Sequence, residues 1–209
     1  MKIKISEIEN KLTYKLKRNF KSVGVDTAQI TGLCFLTTDK VWLHIDSMCL
    51  GFKTKDHKEI YESMVKTFEK LFQDENLAIV EDVFIGFNKA GCLELARYGS
   101  FAIAECIKKD IPYEIIKAVS ARAKFKIQTQ KYGKGKSKLA VADFVKELGL
   151  DLKDDNIVDA FVLALCGLCE GIDFSRPIKK KKKRKVAKKT IKKSVKKGKK
   201  KWKLYNYLV

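Results

Sequence analysis

The stretch Val23–Leu36, "VGVDTAQITGLCFL", sets the central question of this chain. A small, apolar run leads into one carboxylate, Asp26, and a second apolar run follows a few polar residues later. Two strands joined by a short turn are predicted. A carboxylate at the end of a buried strand is costly unless a partner compensates it. Asp26 is therefore either a turn residue or a group that holds a cation.

Working outward, strand-like segments fall at 22–26, 30–37 and 40–46, the last two joined by a "TDK" turn. An amphipathic helix follows in "DHKEIYESMVKTFEKLFQDEN", where Ile60, Tyr61, Met64, Val65, Phe68, Leu71 and Phe72 form one stripe behind a starting aspartate. "LAIVEDVF" (77–84) is a fourth strand and "PYEIIKAVS" a fifth, with a weakly polar helix between them. "ARAKFKIQTQKYGKGKSK" (121–138) is expected to be a basic loop. "LAVADFVKELGL" and "DDNIVDAFVLALCGLCEG" are expected helices. The order β-β-β-α-β-α-β-α-α predicts an α/β fold, a mixed five-stranded sheet flanked by helices. Residues 1–20, with Ile5, Ile8, Leu12 and Leu16 at helical spacing, form an N-terminal extension with a short helix. The domain proper spans 21–173.

In a meander-first fold the first and fourth strands lie side by side in the sheet centre. Asp26 then faces Glu81, and the start of the last helix brings Asp155 and Asp159, four residues apart and so on one helix face. Asp155 also suits the N-cap. Carboxylates this close do not all stay ionised without a cation. Hard oxygen ligands select Mg²⁺, with Mn²⁺ as a substitute, and two such ions support in-line attack of water on a phosphodiester. Each acid alone also fits an ordinary structural role; the joint pattern is what points to metal.

Four segments in order, within roughly residues 22–170, resemble the RuvC-type Holliday junction resolvases of the RNase H-like superfamily. They are "VGVDTAQITGLCFL", "IVEDVFIGFNKAGCLELARYGSFAIAEC", "VSARAKFKI…YGKGKSK" and "DDNIVDAFVLALC". The resemblance implies a metal-dependent endodeoxyribonuclease with two ions per active site, acting as a homodimer on four-way junction DNA through paired symmetric nicks. It makes Asp26, Glu81 and Asp159 metal-binding catalytic acids. The family's fourth acid falls here on Asn156, so either Asp155 supplies that carboxylate from one residue earlier or Asn156 ligates through its carbonyl; Asp155 is the favoured choice. Phe84 falls where the family places an aromatic against bases, a sequence-tolerant contact. A lysine near the scissile phosphate is also implied: Lys124 and Lys126 flank the aligned point, with Lys126 the candidate catalytic lysine, and Lys138 follows the glycines. Gly133, Lys134, Gly135 and Lys136 complete the expected DNA-binding segment.

Composition fits a nucleic-acid partner but puts the charge in one place. The 209-residue chain carries a formal +20, yet 18 of its 45 Lys and Arg lie in residues 176–209, which contain no acid. The other 175 residues hold 27 basic and 25 acidic side chains and are nearly neutral. The polybasic tail (174–209) is expected to be disordered and suits a polyanion, with strongly salt-dependent binding. Its "KKKKKRKVAKK" run also resembles a nuclear-localisation signal. Six scattered cysteines read as reduced core residues of an intracellular protein, acting in the cytoplasm or at replicating DNA. No run is long enough to span a membrane. Two other classes compete: a non-catalytic architectural DNA-binding protein on a decayed nuclease fold, which Asn156 and the tail favour, and a sugar- or acetate-kinase-like ATPase, for which the chain is too short.

Overall fold

The computed structural model describes residues 1–83, 89–133 and 136–174. Phe84, Lys134, Gly135 and the polybasic tail from 175 lie outside the described residues. A sheet ordered β1-β4-β3-β2-β5-β6 runs through the domain. β2 (Phe20–Asp26), β3 (Thr31–Thr38) and β4 (Trp42–Leu50) form an antiparallel meander, whereas β5 (Leu77–Glu81) pairs parallel to β2 and β6 (Tyr113–Ile116) parallel to β5. The expected adjacency of the first and fourth predicted strands is present, with Val25 opposite Val80.

Alternation along these strands sorts side chains between two helical layers. Val23, Val25, Ala78 and Val80 pack against α2 (His57–Leu71) and α3 (Lys89–Lys108), together with Met64 and Phe68. The intervening positions face the layer built by α1 (Ile5–Glu9), α4 (Ala118–Lys124), α5 (Ser137–Glu147) and α6 (Asp155–Leu168). Asp26 and Glu81 share the parity of Gly24 and Ile79, so both carboxylates fall on the α6 side of the sheet.

α6 lies against the sheet at backbone contact. A Cβ at Gly24 would sit 2.0 Å from the Ala160 carbonyl oxygen, and one at Gly32 would sit 2.2 Å from that of Asn156. Any side chain there would lift the helix off the sheet. Ser22 Oγ donates to the Ala164 carbonyl at 2.9 Å, extending the contact along β2. Because Gly32 pairs with Asp26, this seating brings the first turns of α6 beside the end of β2. Among the described residues no helix is long and apolar enough to cross a membrane.

Three expectations change. The sheet has six strands, not five, because Lys2–Lys4 adds β1 to the free edge of β4; three alternating lysine and isoleucine residues carry too little strand signal to be read alone. Residues 1–20 also do more than precede the domain. Ile5, Ile8 and Leu16 are fully buried, Leu16 bridges to Cys169, and Glu9 accepts the Leu16 amide at 2.8 Å. Burial of each such side chain contributes roughly 1.5–3 kcal/mol. Finally, the expected basic loop begins as a helix, because Ala121 is buried against α6, and it continues through a 3-10 turn at Thr129–Tyr132.

Candidate active site

Asp26 and Glu81 come together at the carboxyl ends of two parallel neighbouring strands. Asp26 is only 7% exposed and is hydrogen-bonded to Glu81. Burial is the main cause that pushes the Asp26 carboxyl up, to about 9; the hydrogen bond and charge of Glu81 and the charge of Asp159 add to it, and Lys138 opposes them. The Asp26 carboxyl therefore keeps its proton at neutral pH, in its hydrogen bond with Glu81. Neither apolar packing nor a turn explains that arrangement.

Asp159 comes from the second turn of α6 and is 8% exposed. Its Oδ1 accepts from Arg122 Nη2 at 2.8 Å, a pair with side chains 15% and 10% exposed. Arg122 escaped the sequence reading because the segment around it looked like a polar loop. The signal was there in Ala118, Ala121 and Arg122, a small-residue helical face ending in one cation. Among the described residues two buried polar atoms near these acids have no hydrogen-bond partner, Thr27 Oγ1 and Arg122 Nε.

Asp155 does not join the buried acids. Its side chain is 58% exposed and lies 3.7 Å from Lys138 Nζ, the lysine that also acts on Asp26. Nor is Asp155 the cap of α6: Asp154 accepts from the amides of Asn156 (2.8 Å) and Ile157 (3.3 Å). Burial opposes ionisation of Asp154, but hydrogen bonds from the Cys49 thiol and the two amides outweigh it and hold the carboxyl below its usual range. Asn156 is half-buried, its backbone pressed on Gly32.

The lysines of the basic segment separate. Lys124 Nζ donates to the Asp173 carbonyl. Lys126 has φ +56° because it closes α4: its amide donates to the Ala123 carbonyl, and that of Ile127 to the Arg122 carbonyl. Lys126 lines a polar cleft with Lys131, Asp143 and Glu147. Gly133, at φ +82°, occupies the left-handed region, and Lys136 precedes α5. Of the described lysines proposed from sequence, Lys138 is the one whose charge acts on Asp26.

The donor set suits a hard divalent cation in kind, since carboxylates from β2, β5 and α6 lie close enough for Glu81 and Asp159 both to act on Asp26. Among the described residues, however, no three His, Cys, Asp or Glu side chains are already drawn into a ligand cage. One oxygen of Asp159 is held by Arg122. All six cysteines are free thiols, and Cys166 and Cys169 are buried core residues.

Strand order, the parallel β2–β5 pair and the helical layers define an RNase H-like fold of the RuvC type. No family model and no curated protein matches the sequence. Among solved structures the chain is similar to Thermus thermophilus RuvC in complex with a Holliday junction substrate, with a TM-score of 0.54 and 13% identity over 70% of this chain and 91% of that one. A second structure of T. thermophilus RuvC gives 0.52 at 13% identity, over 72% and 98%. The yeast mitochondrial Holliday junction resolvase Ydc2 gives 0.44 at 13% identity, over 75% and 81%. The two T. thermophilus likenesses establish the fold.

Proposed function

We propose that this chain is a divalent-metal-dependent endodeoxyribonuclease acting on four-way DNA junctions. The observation that carries the reading is the hydrogen-bonded pair of buried Asp26 and half-buried Glu81 at the ends of two parallel strands, with buried Asp159 near enough to act on Asp26. A fold shared with RuvC bound to a junction supports the substrate class. Asp26, Glu81 and Asp159 would hold Mg²⁺ or Mn²⁺ through carboxylate oxygens, with two ions per site on this reading. When bound, such ions polarise the phosphodiester and favour deprotonation of the attacking water. Asp26 and Glu81 would release their shared proton on ligation. Lys138 supplies positive charge at the edge of the site, where a phosphate would approach. Asp155 is left as that lysine's partner, so Asn156 becomes the better candidate for any fourth ligand.

Paired nicks on a symmetric junction require two sites related by a two-fold axis, so the active species is proposed to be a homodimer. The polybasic tail is proposed as a DNA-binding arm. Truncation after Asp173 should lower affinity and flatten its salt dependence without altering the chemistry. The decisive assay is cleavage of a synthetic four-way junction in Mg²⁺. Glu81→Gln should bind the junction but lose cutting on the order of 10³-fold or more, the loss of several kcal/mol of charge stabilisation. Equal cutting of linear duplex or RNA–DNA hybrid would refute junction specificity.

A second reading, a non-catalytic architectural protein on the same fold, draws on the lack of a closed three-ligand cage among the described residues. Tight junction binding with no Mg²⁺- or Mn²⁺-stimulated cutting would favour it.

A further inference from the structure

We propose that Arg122 is a positioning residue that pins one oxygen of Asp159 and leaves the other free for a cation shared with Asp26 and Glu81. The inference rests on the metal-dependent reading above. α4 delivers Arg122 to this spot, since Ala121, one residue before it, is packed on α6 with its carbonyl 4.0 Å from Cys166 Sγ.

The form of the contact carries the argument. Arginine and carboxylate pair most strongly through two parallel N–H···O bonds. Here a single bond forms, from Nη2 to Oδ1 at 2.8 Å, while Nε is buried without a partner. Leaving a buried donor unsatisfied is unfavourable. If the pair served stability alone, a rotation of the carboxylate to reach Nε would improve it. The end-on contact instead keeps Oδ2 out of the guanidinium fork. Arg122 is also the hydrogen-bond donor that the Asp159 carboxylate has among the described residues.

Two views of Arg122 predict opposite results. As a bare counter-charge, it repels a cation, and its removal tightens binding. As a positioning group, it orients the ligand, and its removal loosens binding by ~10-fold or more, the effect usual for groups that orient metal ligands.

The experiment is titration of the full-length protein with Mn²⁺, following the signal of the free ion by electron paramagnetic resonance, with thermal melts to check folding. Arg122→Gln is expected to weaken Mn²⁺ binding ~10-fold. Arg122→Lys retains the charge and one donor, so a smaller loss of roughly three-fold is expected from its looser geometry. In an Asp159→Asn background neither substitution should change the affinity further. Binding as tight as wild type, or tighter, in the variants that fold overturns the inference; if only the lysine variant folds, its result decides, because a counter-charge role leaves it unchanged. Wild-type protein that binds no Mn²⁺ overturns the cation reading and this inference together. Wild-type binding with unaltered variants overturns this inference alone.

Discussion

The two acidic parts of the site handle the same difficulty in opposite ways. At the strand ends, Asp26 and Glu81 are compensated by a shared proton; on α6, Asp159 is compensated by the Arg122 guanidinium. The first arrangement is strained by ionisation, and on the proposed reading a cation would relieve it. The second is already neutral as an ion pair, and it is broken by loss of either partner. The comparison teaches that burial of a carboxylate says little by itself; what matters is the group that faces it.

The largest departure from this contrast should come from Asp159→Asn. It leaves the Arg122 guanidinium buried and unpaired, and a loss of about 3 kcal/mol is expected in chemical denaturation. A loss below 1 kcal/mol would mean that solvent already satisfies Arg122. Asp26→Asn should do the reverse in EDTA and raise the melting temperature. The folded Asp26 carboxyl titrates near 9, well above its ordinary value of 3.8, so the native state binds more protons than the unfolded chain between those limits. Its contribution is therefore complete below about pH 4 and lost as pH rises towards 9. The stabilisation by Asp26→Asn should grow across that range, and a gain independent of pH would contradict the shared proton. Asp155→Ala should change stability by less than about 0.5 kcal/mol, as befits an exposed group whose ion-pair partner among the described residues is Lys138; a large loss of Mn²⁺ binding in it would return Asp155 to the ligand set. A modest effect of opposite sign is expected from Lys126→Gly. Relief of the left-handed backbone should stabilise the fold by roughly 0.5–1 kcal/mol, and unchanged junction cleavage would remove Lys126 from the catalytic residues.

The centre of the sheet was legible in the sequence because its signals are local. Strand alternation and apolar content placed β2, β3 and β5, and their parity set Asp26 and Glu81 on one side. The turn chemistry of "TDK" and the Asp56 start of α2 were equally visible. Features that depend on tertiary contact were not. The Arg122–Asp159 pair joins residues 37 apart and exists only because α4 packs on α6. "KDDN" offers two adjacent aspartates as caps, and the seating of Asn156 on Gly32 decides for Asp154. Lys126 closes a helix where glycine would have announced the position. β1 is too short to be read without the edge of β4 beside it.

The seating of α6 on Gly24 and Gly32 also governs the order of assembly. The helix that covers β2 and β3 comes from residues 155–168, more than a hundred positions after the strands it covers. While the chain is being made, those strands have no lid on that side. Leu16 likewise waits for Cys169. Native packing should therefore begin only once α6 has left the ribosome, a late and non-local step of the kind that slows folding and exposes sheet surface to aggregation. A nascent-chain force profile should show its main folding transition after α6 emerges, and a transition before that point would mean that the sheet and the α2–α3 layer can consolidate without it.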